Sequence, residues 1–141
     1  MKKLLATLLI AGSLAITACQ PNIYASSDAK GKLSSKEYTV EVYGEEEAKQ
    51  RLANLNYEGV TFTDAIYAEK GKDDDKDLLI AFFFASVDAA VNFLDKNDHE
   101  NYGMLDDYGV KNLGANLKKR VGTHNNVAYI GSETSFAAAF N

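Results

Sequence analysis

Alternating apolar and polar positions predict most of the strands in this chain. Tyr38, Val40 and Val42 alternate with polar residues, which is typical of a strand buried on one face. Alternation returns over residues 60–68 and predicts a second strand. Residues 78–85 are an uninterrupted apolar run, which indicates a third strand that is central in its sheet and buried on both faces.

Helical spacing of apolar residues predicts two helices between the strands. Ala48, Leu52 and Leu55 recur at i, i+4 and i+7 behind three glutamates, which stabilise the positive end of a helix dipole. The second helix follows the apolar strand, and Ser86 at its start is a good N-cap. Strand-like pieces lie within residues 120–131, whereas residues 95–118 show no legible periodicity.

The order of elements, β-α-β-β-α-β-α, predicts one α+β domain over residues 37–141. Two strand-helix-strand halves are typical of a ferredoxin-like split βαβ sandwich, here with an added C-terminal helix. In that topology the first and third strands are central. The apolar run falls on the third strand, which favours this arrangement.

A central strand that is apolar on both sides needs a cover on each face of the sheet. The two internal helices cover one face. A C-terminal helix, capped by Ser132 and carrying Phe136 and Phe140 at i and i+4, is the favoured cover for the other face. A homodimer or an envelope protein partner packed on that sheet face is the alternative.

Residues 1–18 have the pattern of a targeting signal. Lys2 and Lys3 precede an uncharged, mostly apolar run that ends in small residues just before Cys19, the only cysteine of the chain. The run has the length of a signal peptide's apolar region, and it is shorter than the roughly 18 or more apolar residues of a spanning helix.

This segment resembles a bacterial lipoprotein signal peptide with its lipobox, Ile16-Thr17-Ala18-Cys19. The resemblance covers residues 1–20 and implies cleavage before Cys19 and a diacylglycerol on the Cys19 sulfur. It also implies a lipid-anchored place in the cell envelope. That place is the outer membrane in a Gram-negative cell, because Gln20 is not the aspartate of inner-membrane retention, and the outer face of the cytoplasmic membrane in a Gram-positive cell. An ordinary secretory signal, cut without lipidation, is the alternative.

Residues 19–36 have the composition of a flexible tether between the lipidated cysteine and the domain. They contain the only proline, Pro21, with several serines and alanines and few large apolar residues. A segment that folds when it binds a partner is the alternative.

The charge of the chain limits its partners. Without Lys2 and Lys3, 13 basic and 20 acidic side chains remain, a formal charge of −7. Nucleic acids and anionic lipid headgroups attract basic surfaces. We therefore expect no nucleic-acid partner, and membrane attachment through the lipid on Cys19 alone.

Two carboxylate clusters are the candidate metal sites. Asp73–Asp75 with Asp77 offers closely spaced oxygen ligands, but it lacks the glycine and the closing glutamate of an EF-hand and is interleaved with lysines. The run Asp95–Glu100 contains His99, which could make a mixed metal site with the neighbouring acids, and His124 could join that site in space. The favoured interpretation of both is a solvated loop, with no metal and no cofactor.

No catalytic residues are identified. The chain has no G-x-S-x-G motif, and residues 131–135 resemble the start of a helix. The basic cluster Lys118–Arg120 is interpreted as the solvated edge of a strand. The sequence therefore favours a small membrane-anchored binding or interaction module without enzymatic activity. A protein that binds a cation or small solute through acidic loops is the alternative, and an enzyme is the third possibility.

Overall fold

The structure is a computed structural model that describes residues 23–53, 55–72, 75–97 and 113–141. Those residues form five strands and four helices. In chain order they are α1 (Ser26–Ser35), β1 (Thr39–Gly44), α2 (Glu45–Arg51), β2 (Asp64–Lys70), β3 (Asp77–Phe83), α3 (Val87–Asn97), β4 (Lys119–His124), β5 (Val127–Ser132) and α4 (Glu133–Phe140). Within these ranges, no helix has both the length and the apolar character that crossing a membrane requires.

One antiparallel sheet holds all five strands in the order β1-β2-β3-β5-β4. β3 lies in the middle, and all of its residues are buried, as its uninterrupted apolar run predicts. β4 and β5 form a hairpin in which His124 is opposite Val127. Asn125 turns the hairpin with φ 50°, a conformation that Asn tolerates better than most residues.

The α+β class is confirmed, but the ferredoxin-like topology is not. A split βαβ arrangement places the first and third strands together at the centre, whereas here β2 lies between β1 and β3 and β1 is an edge strand. A second difference lies in the C-terminal half. The pieces that predicted a single strand within residues 120–131 are two strands of one hairpin, and β5 inserts between β3 and β4.

The sheet lies between two layers of helices. α2 and α3 pack on what we call the first face, formed on β3 by Leu78, Ile80 and Phe82. α1 and α4 pack on the second face, formed on β3 by Leu79, Ala81 and Phe83. The alternation of β3 side chains between two apolar layers is the reason for its apolar run.

The C-terminal helix covers the second face as predicted, and it shares that task with α1. Phe136 and Phe140 are buried there, and Ser132 caps α4 by accepting a hydrogen bond from the backbone N of Ser135 at 2.8 Å. α1 packs beside α4 on the same face. Two helices therefore cover the second face of the sheet. This is the face on which the sequence offered a homodimer or an envelope protein partner as the alternative cover.

The prediction of a flexible tether over residues 19–36 is wrong from Ser26 onward. Residues 26–35 form α1, in which Ala29 is 2% exposed and Leu33 is fully buried against the sheet. Only two residues of this polar helix are buried, and two apolar positions one turn apart give almost no helical periodicity. The sequence of the segment therefore resembles that of a linker. The folded unit consequently extends upstream of residue 37. The predicted signal peptide and Cys19 lie outside the described residues.

Candidate functional site

Asp77 is a buried member of the core and not a solvated carboxylate. It is 6% exposed. Its Oδ2 accepts a hydrogen bond from Tyr38 Oη at 2.5 Å, and its Oδ1 accepts one from the backbone N of Leu78 at 2.9 Å and one from Ser132 Oγ. Burial and the hydrogen bond to Asp77 raise the pKa of Tyr38 well above its usual value of 10.0. Asp77 thereby joins the start of β1, β3 and the start of α4.

The predicted acidic clusters do not form a metal site in the part of the chain that the structure describes. There, no group of three or more His, Cys, Asp or Glu side chains could hold an ion. Asp75 is exposed, while Asp77 points into the core, so the fold separates them. Asn97 at the end of α3 is buried and binds the backbone of Asn56 through both atoms of its amide. Asp73, Asp74 and residues 98–100, with His99, lie outside the described residues.

An open groove lies above Tyr38, between the C-terminal end of α1 and the start of α4. Its volume is about 800 Å³. We call it the α1–α4 groove. Its polar and charged lining comprises Ser35, Lys36, Glu37, Tyr38, Lys70, Glu133 and Thr134, and Ala137 and Ala138 complete it. Sequence reasoning missed this groove, because it forms only where α1 docks beside α4.

Lys70 crosses the floor of the groove. Its Nζ donates a hydrogen bond to the backbone O of Lys36 at 2.8 Å and lies 3.8 Å from Glu37 Oε2. The same Nζ is 5.5 Å from the centroid of the Tyr38 ring. Glu37 turns the chain with φ 68°, and its side chain is 87% exposed. The two signs of charge side by side suit a polar peptide segment, which offers donors, acceptors and side chains of either charge.

His124 lies among aromatic rings at the other end of the second face. Its Nε2 is 3.0 Å from Tyr24 Oη, and its ring centroid is 4.8 Å from that of Tyr24. The rings of Phe136 and Phe140 lie 5.3 Å and 5.5 Å away. Burial, followed by the nearby charge of Arg120, lowers the pKa of His124. His124 thus holds an N-terminal tyrosine, and the fold brings it to no carboxylate cluster among the described residues.

Asn126 fastens the chain just before α1 to the sheet. Its Oδ1 accepts a hydrogen bond from the backbone N of Tyr24 at 2.7 Å, and its Nδ2 donates to the backbone O of Tyr24 at 2.9 Å. The same Nδ2 donates to the backbone O of Phe84 at 2.8 Å, and Asn126 is 1% exposed. The Asn126 amide therefore binds both backbone polar groups of Tyr24, as the backbone of a neighbouring strand would. We call Tyr24, His124 and Asn126 the Tyr24 clamp.

The basic cluster Lys118–Arg120 leads into β4, an edge strand whose first two residues are exposed. Arg120 is held by aromatic side chains. Its Cζ lies 3.9 Å from the centroid of Phe136, and its Nε donates a hydrogen bond to Tyr129 Oη at 2.8 Å. The guanidinium group accordingly packs over α4 and the sheet edge.

In comparisons with known proteins, no family model, no curated protein and no solved structure matches this chain.

Proposed function

We propose that this chain is a lipid-anchored protein of the bacterial cell envelope that acts by binding and not by catalysis. The observation that carries the proposal is Cys19, the only cysteine, at the end of an uncharged apolar run behind two lysines. A diacylglycerol on its sulfur leaves the mature chain without a thiol. The anchored protein lies at the outer membrane of a Gram-negative cell or on the outer face of a Gram-positive cytoplasmic membrane.

The α1–α4 groove is the proposed binding surface of the anchored domain. It is a broad depression of about 800 Å³ that is widely open to solvent, and a segment of another protein could lie across it. Lys70 lies over the Tyr38 ring, and Glu37 presents the opposite charge 3.8 Å from the Lys70 Nζ. We propose that an extended polar segment of another envelope protein occupies it, with the charges of Lys70 and Glu37 fixing its orientation.

The anchor is tested by expressing the full chain and its Cys19→Ser variant in a bacterial host supplied with labelled palmitate. The wild-type chain is expected to carry the label and to sediment with membranes. The Cys19→Ser variant is expected to lose both properties. Release of an unlabelled wild-type chain would support the ordinary secretory signal instead and would contradict lipidation.

The binding surface is tested by crosslinking in intact cells with variants on and off the groove. Thr134→Arg places a bulky cation on the exposed groove rim, and Thr61→Arg makes the same change at an exposed position outside it. We expect Thr134→Arg to lose a crosslinked envelope protein that Thr61→Arg retains. Equal crosslinking by the two variants, both with a native melting temperature, would rule out the groove.

A further inference from the structure

The Tyr24 clamp leaves a very short link between the anchor and the folded domain. Only Gln20, Pro21 and Asn22 separate Cys19 from Ile23, the first residue that the structure describes. Four successive Cα–Cα steps span at most about 14 Å when fully extended. The lipid on Cys19, the proposal on which this inference rests, therefore holds Tyr24 close to the lipid headgroups.

The contacts of Tyr24 and α1 identify one end of the sheet, which we call the anchor end. Asn126, in the turn between β4 and β5, binds Tyr24 and also the backbone of Phe84 just after β3. Ser26, the first residue of α1, donates a hydrogen bond to Asp64 at the start of β2. Three strands thus fix the chain at the point where it leaves the domain toward Cys19.

The α1–α4 groove lies at the opposite end of the sheet. α1 runs along the second face from the anchor end and finishes beside Lys36, whose carbonyl binds Lys70 at the end of β2. Tyr38 precedes β1, which then runs back to the anchor end. A strand of six residues is about 20 Å long, so the groove stands about that far from the anchor end.

We infer that the anchored protein stands on the membrane in one orientation, with the anchor end toward the headgroups and the α1–α4 groove facing away from them. The Tyr24 clamp fixes the end of the sheet from which the chain leaves toward the membrane, and the lipid on Cys19 supplies the attachment.

The charge at the anchor end is consistent with attachment through lipid alone. α2 begins there with Glu45, Glu46 and Glu47, and α3 begins there with Asp88 in its first turn. These carboxylates are repelled by anionic headgroups. The anchor end therefore faces the bilayer because the chain is short, and not because its surface binds lipid.

The chain contains no tryptophan, so a single introduced tryptophan reports from one place. Ala85→Trp is an exposed change at the anchor end, and Thr39→Trp is an exposed change at the groove end. Each full-length variant is purified from membranes of a bacterial host and placed in phosphatidylcholine vesicles that contain a headgroup nitroxide lipid. Because the two sites are about 20 Å apart along the sheet, we expect at least about threefold stronger quenching for Ala85→Trp than for Thr39→Trp. Asp88→Trp, also exposed at the anchor end, is the second reporter if Ala85→Trp does not fold.

A lengthened link is the matched control. Insertion of about twenty Gly and Ser residues between Asn22 and Ile23 gives the domain a flexible reach and is expected to bring the quenching ratio close to one. Equal quenching at the two sites without the insertion would overturn the single orientation.

A chain that is not lipidated can be distinguished from a chain with the wrong orientation. The intact mass of the same sample would then show an unmodified Cys19. Coupling that thiol to a maleimide lipid in the vesicles restores the attachment, and the ratio between Ala85→Trp and Thr39→Trp still tests the orientation.

Discussion

Tyr38 connects the core with the α1–α4 groove, because its hydroxyl binds the buried Asp77 and its ring lies beneath Lys70 in the groove. Its partner Asp77 is buried and accepts three hydrogen bonds in total. When a buried carboxylate loses a hydrogen-bond donor, the free-energy cost of removing it from water is no longer offset.

Removal of the Tyr38 hydroxyl is therefore expected to destabilise the fold. Tyr38→Phe should lower the free energy of unfolding by about 1–3 kcal/mol. Tyr67→Phe is the control, because Tyr67 Oη is 3.4 Å from Glu69 Oε2 at the partly exposed end of β2 and makes a much weaker bond. Urea denaturation measures both variants, and equal losses would contradict the role of the Asp77 bond.

His124 gives the Tyr24 clamp a dependence on pH. Because burial and Arg120 lower its pKa in the folded state, the unfolded chain takes up a proton more readily. The contribution of His124 to stability is therefore present above its usual pKa of 6.5 and is lost as the pH falls through the lower folded value.

His124→Gln tests this dependence, since glutamine keeps a side chain that can bind Tyr24 Oη but does not titrate in this range. We expect the free energy of unfolding of the wild-type chain to fall more steeply below about pH 6.5 than that of the variant. Denaturation curves over a pH series give the two slopes. Parallel slopes would show that His124 does not titrate differently on folding.

At the scale of elements, α1 is the largest departure from the sequence-based expectation. It is stabilised by docking and not by its composition, because a helix of ten residues is marginal on its own. Its buried contacts are Ala29 and Leu33, on one side of the helix. Gly31 lies on the exposed surface, with open space where a Cβ would be.

Two substitutions in α1 should change stability in opposite directions. Leu33→Ala removes a fully buried side chain and is expected to cost about 2–5 kcal/mol. Gly31→Ala improves helix propensity without a clash and is expected to add about 0.5–1 kcal/mol. Thermal and urea unfolding measure both changes. A flexible tether would show no effect from either, and that result would contradict the docked helix.

The sequence predicts those elements whose signal is local. The run that forms β3 indicates a central position and the division of its side chains between two faces, and Ser132 indicates the start of α4. The Tyr24 clamp depends on Asn126, which is 102 positions away in the chain, and no periodicity can reveal such a contact. The strand order failed for a related reason. β1 pairs with β2 at the edge of the sheet, and the turn at Asn125 divides a short stretch into two strands, so that β5 and not β1 lies beside β3.

At the scale of the whole molecule, α1 and the Tyr24 clamp extend the folded domain almost to Cys19, the proposed point of attachment. The folded unit starts within four positions of Cys19, and its groove lies at the far end of the sheet. A lipid on that cysteine would then do more than hold the protein at the membrane, because it would also present the groove outward. The acidic balance of the chain, −7 without Lys2 and Lys3, is compatible with attachment through lipid alone.

The intact mass of the full-length gene product, purified from the membranes of a bacterial host, tests the proposed anchor most directly. We expect a mature chain that begins at Cys19 and carries the added mass of a diacylglycerol on that residue, and we expect no such species from Cys19→Ser. A wild-type chain with an unmodified Cys19, or one that retains residues 1–18, would contradict the anchor.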